Sequence, residues 1–581
     1  MTDPVIRPRS YPLGQLLAVI AVLTISVSGC TSDWEKIPVA KTLEKGSGGS
    51  IDEAVGYLPR LMRIDRTEAL KEVLYQLNGW ATRYDAANDG WPSPTVAELM
   101  ETWSPPVAEQ MRGRLADVRF GENECEYLLQ CRMMKDAADW VVAREYRDPL
   151  FSDWLGSRKS EMSPDDWGKL EAALKLFDWS VRNIALMGEA AEAEQLVEEP
   201  SLPLTDMAPV YRQLPWQTLI VARGDVWQRA RVFTQLLQQV ELTGVVLALP
   251  QDGADDLLWA VGVPIGGELY LFEPRWGLPL PGPGGVGVAT LREAKEDRTV
   301  LRRANLPGQF DYPVSADQIS GLVAKLDVAP FAIGHGSYAL QRSLAGESRM
   351  RVYAELAPVV EGLKNVIGVG RIELWDQPAL AYAYNDWVRE RINDQSAFSM
   401  QYLVYYGPFI TDTLMNSARR AHLAGDFQTT LDTPGALSDY MKLRVDDATL
   451  ERLPYDKEVQ AGLQVRRGAT EPLDAFTARL QQVKAYYKAA KFQTSTFLGM
   501  AQMDLGNFDA ARDWLEERTL MVEGTEAWHP HAEYLLGRIH EIRGEAAKAE
   551  EFYKRIGRPQ EAGNRIRARL LENLLEPVGE G

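Results

Sequence analysis

The most constraining feature of this chain is one helix followed by three strands between residues 223 and 274. The helix opens at Gly224-Asp225. The run Val245–Leu249 that follows is apolar and β-branched, which predicts a buried strand. Two more strands are predicted over 259–265 and 268–272, and Gly266-Gly267 between them predicts a tight hairpin. We therefore predict that this segment forms a helix packed on a small antiparallel sheet.

A second helix is predicted upstream of this segment. Ser163 is followed by Pro164 and two aspartates, which is a typical start for a helix because the serine caps it and the acids favour its positive end. The helix continues through Leu176, Phe177 and Trp179. Most of the remaining sequence is also helical in pattern, so the predicted class is α+β, mostly helical.

The order of these elements resembles the transglutaminase-like domain of the papain fold. That family commonly has an aromatic helix, here 176–184, about forty residues before its nucleophile. Its later strands begin His-x-Trp and end Asp-Pro, and this chain keeps Trp259 and Pro274 at the matching places. The resemblance covers about 110 residues and implies a papain-like core with a small antiparallel sheet.

The same resemblance shows that the family's catalytic side chains are replaced. Val226 stands where the family has its nucleophilic Cys, and Leu257 stands where it has its His. Glu273 replaces the Asp, and we expect it to be a polar residue at a strand end or to pair with Arg223 or Arg275. Papain-type acyl transfer needs a thiolate and a base. The five histidines all follow the domain, at positions 335, 422, 529, 531 and 540.

The N-terminus resembles a bacterial lipoprotein signal. Arg7 and Arg9 precede an apolar run over residues 16–27, which is the length of a signal-peptide core and short for a membrane span. The run ends at Val27-Ser28-Gly29-Cys30, which is similar to a lipobox, whose Cys is lipidated. Thr31 and Ser32 follow, with no Asp at the second mature position, and this resembles outer-membrane sorting. The alternatives are an ordinary cleaved signal peptide with a chance Cys, or a short anchor.

Composition limits the kinds of partner that we expect for this chain. The net charge is −19, from 63 basic and 82 acidic side chains, so the chain repels phosphate backbones and a nucleic-acid partner is not expected. No second apolar run approaches eighteen residues, so the body is not expected to span a membrane. Neither a cofactor nor a metal site is implied by the sequence. The expected location is the cell envelope, lipid-anchored at the outer membrane and facing the periplasm.

Cys125 and Cys131 are the other two cysteines. An exported chain with two cysteines invites a disulfide. The flanking sequence is helical in pattern, however, and six residues of helix advance about 9 Å, beyond the roughly 7 Å limit between bridged α-carbons. We therefore expect two unpaired, buried thiols, and a disulfide only if the helix starts after Cys125.

The C-terminal region carries an internal repeat that resembles the tetratricopeptide pattern. The second copy is offset by 38 residues from the first, against 34 for the family, and the extra residues fall at 524–530. The matching positions are Leu498-Gly499, Gly506, Phe508, Ala511 and Leu515 in the first copy, and Leu536-Gly537, Gly544, Ala546, Ala549 and Tyr553 in the second. The resemblance implies a helical stack that binds proteins or peptides, or a structural cap without a ligand.

The expected domains follow from these patterns. They are a signal peptide (1–29), a flexible tether (30–50), a helical N-terminal region (51–160), the transglutaminase-like domain (161–310), a mostly helical middle region (311–480) and the repeats (481–581). Two functions stay open. One is a noncatalytic, membrane-anchored lipoprotein that binds or organises proteins or peptides. The other is an enzyme, either a cryptic transglutaminase or cysteine-protease-like protein or a carboxylate-dependent hydrolase.

Overall fold

A computed structural model describes residues 50–62, 65–86, 89–187, 213–251, 255–391, 402, 406–411, 413–431 and 434–575. The predicted signal peptide, the lipidation site Cys30 and almost all of the tether lie outside these ranges. Within the described ranges, no helix is both long and apolar enough to cross a membrane.

The first part of the chain is helical. Its helices are α1 Ile51–Tyr57, α2 Arg66–Ala81, α3 Pro94–Met100, α4 Pro105–Leu115, α5 Glu122–Ala143 and α6 Ser152–Arg158. Helices α3 and α4 both begin with Ser-Pro, and the Ser93 hydroxyl accepts a hydrogen bond from the backbone N–H of Val96. Helix α5 contains both Cys125 and Cys131, and both thiols are free and buried, so the expectation of unpaired cysteines is confirmed.

Next come two long helices separated by short elements. They are α7 Pro164–Asn183, β1 Ala185–Leu186, α8 Pro215–Val221, β2 Arg223–Gly224 and α9 Val226–Gln239, with β1 and β2 paired in parallel. The predicted start of α7 is confirmed, because Ser163 caps it by accepting from the backbone N–H of Asp166 and Pro164 is its first residue.

The sheet has six strands in the order β6-β5-β4-β3-β7-β8. Their bounds are β3 Val245–Leu249, β4 Leu257–Ile265, β5 Glu268–Glu273, β6 Leu278–Pro279, β7 Leu322–Leu326 and β8 Val369–Leu374. Gly266 and Gly267 have φ of 61° and 83° and close the β4–β5 hairpin as a two-residue turn, as predicted. The neighbouring strands are antiparallel except for β7 and β8, which are parallel.

Two features of this sheet correct the sequence interpretation. Strand β7 lies in a stretch that was predicted to be helical. The error arises because β7 is buried on both faces, and a short apolar run has the same pattern in a buried strand as in a buried helix. The sheet is also not purely antiparallel. Two helices separate β7 from β8, and a connection of that kind returns the chain in the same direction.

The middle of the chain is otherwise helical. Its helices are α10 Leu291–Glu296, α11 Arg298–Arg302, α12 His335–Gln341, α13 Leu356–Lys364, α14 Asp376–Arg391, α15 Leu414–Leu423, α16 Ala436–Lys442, α17 Asp447–Arg452 and α18 Lys457–Gly462.

An aromatic cluster holds the sheet against the two long helices. Phe177 of α7, Phe233 of α9 and Phe272 of β5 are all buried, with ring centroids 5.1 to 5.2 Å apart. Burying one such ring stabilises the fold by about 1.5–3 kcal/mol. We call α7, α9 and the six-stranded sheet the central unit.

The chain ends in two helical hairpins and a last helix. They are α19 Leu473–Leu505 with α20 Phe508–Leu515, α21 His529–Ile542 with α22 Ala546–Tyr553, and α23 Glu561–Leu575. We call the two hairpins the repeat pair. A Cβ atom added at Gly499 would lie 2.7 Å from the Leu515 side chain, and one at Gly537 would lie 2.4 Å from Tyr553. The same close packing thus recurs 38 residues later, which accounts for the repeated glycines.

Candidate functional site

Val226, which the sequence resemblance matches to the nucleophile of the transglutaminase-like family, is the first residue of α9. Asp225 caps this helix by accepting a hydrogen bond of 2.6 Å from the backbone N–H of Gln228, whose side-chain oxygen accepts one of 3.0 Å in return from Asp225. Val226 follows the cap and is half-buried. A helix N-terminus favours a thiolate, but a valine side chain offers nothing to ionise.

The other two positions lie at the ends of neighbouring strands. Leu257 is the first residue of β4 and Glu273 is the last of β5, and these strands are paired. Between them β4 is bulged at Trp259, because Leu247 pairs with Ala260 while the next residue pairs with Leu258. Leu257 is half-buried and packs against the main core.

Arg275 connects the parts of this site. Its guanidinium lies 5.3 Å from the ring centre of Trp227, the residue after Val226. It donates hydrogen bonds to the backbone carbonyls of Trp259 at 3.0 Å and Leu258 at 2.6 Å. It also lies 3.6 Å from the Glu273 carboxylate. The helix start, the bulged strand and the strand end therefore meet around a side chain that stays protonated at any ordinary pH.

Glu273 is fully buried. Its carboxylate accepts a hydrogen bond of 2.8 Å from the Tyr312 hydroxyl and one of 3.1 Å from the backbone N–H of Arg275. The Tyr312 hydroxyl in turn accepts from the Trp259 indole N–H at 2.5 Å. Burial raises the pKa of Glu273, and Arg275 and Tyr312 only partly offset this effect. The expected pairing with Arg275 is confirmed, and the hydrogen bonds hold the carboxylate in place.

This arrangement supplies none of the groups that acyl transfer requires. Val226 and Leu257 can neither form a covalent intermediate nor move a proton. Arg275 does not release its proton, and the Glu273 oxygens are bound from two sides. Across the described residues, no group of three or more His, Cys, Asp and Glu side chains could hold a metal ion.

A second polar site lies where the central unit meets the repeat pair. Arg182 of α7 binds Asp178 at 2.8 Å on its own helix and Asp504 of α19 at 2.6 Å. Arg538 of α21 binds the same Asp178 at 2.8 Å. His531 of α21 donates a hydrogen bond of 3.0 Å from Nε2 to the Arg182 carbonyl. One face of α7 is thereby joined to the first helix of each hairpin.

The ion pairs extend inward from Arg538. Arg538 lies 3.2 Å from Asp148 and 3.4 Å from Glu541, and Arg567 of α23 bonds both of these carboxylates at 2.7 Å. The Tyr553 hydroxyl donates to Glu541 at 2.6 Å. Each of these charged side chains is at most 3% exposed, so the cluster lies in the interior.

Asp504 lies at the other end of the cluster. Besides Arg182, it accepts from the indole N–H of Trp179 at 3.3 Å and from His422 Nε2 at 3.3 Å. His422 Nδ1 accepts a hydrogen bond of 3.2 Å from Arg419, so this histidine is neutral with its proton on Nε2. Burial lowers the pKa of His422 to about 4. Burial alone would raise the pKa of Asp504, but Arg182 and His422 lower it on balance.

A cavity of about 110 Å³ opens beside this cluster. The end of α5 and the segment after it form one wall, α7 forms the floor, and the two inner helices of the repeat pair form the other wall. Its aromatic and apolar lining is Trp140, Val141, Tyr146, Trp179, Met503, Leu505, Gly506, Phe508 and Ile542. Its charged lining is Arg144, Glu145, Arg147, Lys175, Asp178, Arg182, Asp504 and Arg538.

Sequence reasoning located the first site and missed the second. Tyr312 is 39 residues beyond Glu273 in a loop, and no pattern links the two. Asp504 and Arg538 fall within the repeat, where the family pattern specifies small and apolar positions. A cue was present for both, because the matching residue of the other copy, 38 positions away, is Met500 for Arg538 and Ile542 for Asp504.

Comparison with known families supports the repeat. The tetratricopeptide repeat family matches residues 493–517, which span the end of α19 and all of α20. The comparisons with curated proteins and with solved structures gave no match. The chain therefore carries a tetratricopeptide-like repeat in a helical C-terminal region, a type of repeat that serves protein–protein interaction and scaffolding.

Proposed function

We propose that this chain is a noncatalytic, lipid-anchored scaffold of the bacterial cell envelope that binds proteins or peptides. In this proposal the central unit is a degenerate transglutaminase-like domain, and it serves as a platform for the repeat pair. The anchor is the lipid on Cys30, and the outer membrane, facing the periplasm, is the expected location.

The observation that carries the noncatalytic role is the position of Arg275. Its guanidinium bonds the backbone carbonyls of Leu258 and Trp259 and lies beside Glu273, so a fixed cation sits among the three positions that would carry the chemistry. A general base at this place would have to accept a proton. Val226 and Leu257 add no reactive group, which favours binding over turnover.

The scaffolding role is supported by how the repeats are held. Stacked repeats are stable because neighbours bury each other, and about three are usually needed. Here α7 adds contacts to the inner helix of each hairpin, through Asp178 and Arg182. Every residue of α21 from His531 to Glu541 is buried, so the second hairpin is packed on all sides of its inner helix. The central unit thus stabilises the repeats, which gives it a role that needs no catalysis.

The anchor is tested by metabolic labelling with a fatty acid. The wild-type chain should incorporate label and Cys30→Ala should not, because the thiol is the site of acylation. Cys131→Ala is the matched control and should label like the wild type, since Cys131 is buried. Equal labelling of wild type and Cys30→Ala would refute the anchor.

The binding role is tested by affinity capture from detergent-solubilised envelopes with the full-length chain. We expect specific proteins or peptides to co-purify at constant stoichiometry. In parallel, purified chain is assayed for amine incorporation and peptide hydrolysis. Turnover that persists in the Cys125→Ala, Cys131→Ala double variant would contradict the noncatalytic role and favour the enzyme alternative.

A further inference from the structure

We propose that the cavity between α5, α7 and the repeat pair binds an acidic peptide segment of a partner protein. This inference rests on the proposed scaffolding function and names the chemistry of the partner. The cavity is small against the roughly 300–1,000 Å³ of sites for drug-sized ligands, so it has room for one side chain of a bound segment.

The repeats leave little other inner surface for a peptide. Their inner helices α19 and α21 face α7, and the ion pairs Arg182–Asp504 and Arg538–Asp178 join the two layers. The cavity lies at this junction. Its outer wall comes from α5 and residues 144–147, which precede the repeats by more than three hundred residues in the chain. The site is therefore specific to the way this chain assembles.

The charges of the cavity select an anionic ligand. Its lining holds five cations and three carboxylates, in a chain whose net charge is −19. On the floor, Arg182 and Arg538 are bound to aspartates and Lys175 is bound to Glu171. At the mouth, Arg144 and Arg147 are both exposed and Glu145 pairs with Arg147, which leaves an excess of one positive charge there.

The two mouth arginines keep donors for a ligand. Arg147 uses its Nε for Glu145 at 3.0 Å, and its Nη1 points toward Gly506, where an added Cβ would lie 3.1 Å from it. Among the described residues, no carboxylate lies within ion-pair distance of Arg144, whose guanidinium lies 6.0 Å from the ring centre of Trp140. Arginine guanidinium groups bind carboxylates with two parallel hydrogen bonds when the geometry permits.

The apolar lining defines the rest of the ligand. Trp140, Tyr146 and Phe508 are half-buried and border the opening. A side chain such as leucine or phenylalanine would bury apolar surface against them, while flanking carboxylates meet the arginines. An acidic segment with one central apolar residue would therefore contact both the apolar lining and the mouth arginines.

The test uses a fluorescein-labelled peptide, Glu-Glu-Leu-Glu-Glu, and the full-length chain in detergent. Fluorescence anisotropy should show saturable binding that weakens as salt rises from about 0.05 to about 0.5 M, because exposed charges are screened. The variant Arg144→Glu, Arg147→Glu should bind at least about tenfold more weakly. The control Arg298→Glu, Arg302→Glu makes the same change in net charge on exposed residues outside the cavity and should bind like the wild type.

Three outcomes would overturn the inference: no saturable binding by the wild type, equal binding by the Arg144→Glu, Arg147→Glu variant, or tighter binding of Lys-Lys-Leu-Lys-Lys. Envelope capture separates this inference from the scaffolding function. If the wild type and the cavity variant capture the same proteins, the scaffold stands and the cavity assignment fails. If neither captures any, the scaffolding function fails.

Discussion

Replacing Arg538 by Met should strongly destabilise the junction of the repeat pair and the central unit. Arg538 is 1% exposed and lies 2.8 Å from Asp178, 3.2 Å from Asp148 and 3.4 Å from Glu541. Its removal leaves the buried Asp148 and Glu541 and the partly buried Asp178 with fewer cations. Breaking a buried ion pair from one side costs about 3–5 kcal/mol, because the remaining charge is not solvated. Methionine is the matched choice, since Met500 holds the same position in the first repeat copy.

The assay is urea unfolding, followed by both tryptophan fluorescence and far-ultraviolet circular dichroism. Coincident transitions are required for a single free energy of unfolding. Arg538→Met should lose about 3–5 kcal/mol. The control Lys548→Met removes an exposed pair with Glu545 and should lose at most about 1 kcal/mol. If the two variants were equally stable, the buried cluster would not stabilise the repeat pair. That result would contradict the role of α7 as a platform for the repeats.

Three further predictions follow from the buried and replaced groups. Burial lowers the pKa of His422 to about 4 from an ordinary 6.5, so the unfolded chain binds more protons between these values. The contribution of His422 to stability should therefore be complete above pH 6.5 and be lost on acidification toward pH 4, by up to about 1.4 kcal/mol per unit. The buried His531, whose pKa is lowered to about 3, adds to the same slope, so His422→Gln should reduce the slope in urea titrations at several pH values without abolishing it. Burial raises the pKa of both Cys125 and Cys131, so iodoacetamide should leave them unmodified until the chain unfolds, as mass spectrometry would show; rapid native labelling would contradict this. Val226→Cys alone should give no amine incorporation, because no base accepts the proton of the thiol. Adding Leu257→His supplies that base. Turnover by the single variant would show that another base is present.

The sequence predicted the local structure of the central unit well. The cap at Asp225, the glycine hairpin and the buried strand β3 are each fixed by residues close together in the chain, and all three are present. Strand β7 was missed because Leu322–Leu326 is a short run without strict alternation of polar and apolar residues, although Ser320-Gly321 before it is a turn signal. The transglutaminase-like identity of the unit remains a prediction from motif order.

The polar sites were predictable only in part. Arg275 is two residues from Glu273, so local reasoning reached their pairing. The contacts of Asp178 with Arg538 and of Arg182 with Asp504 span more than three hundred residues, and they depend on how the central unit and the repeat pair meet. Spacing along the chain does not show which distant residues will come into contact. Within the repeat, positions 504 and 538 marked a special environment, because each carries a charged residue where the other copy has an apolar one.

The geometry of α7 explains how the central unit supports the repeat pair. Successive residues of this helix serve different layers: Phe177 packs on the sheet aromatics, Asp178 binds Arg538, and Trp179 donates to Asp504. A change that loosened the sheet would move Phe177 and, with it, the carboxylate that holds the repeat pair. Helix α7 thus couples the sheet to the repeat pair. In the proposed noncatalytic scaffold, this coupling, and not the side chains of Val226 and Leu257, gives the central unit its role.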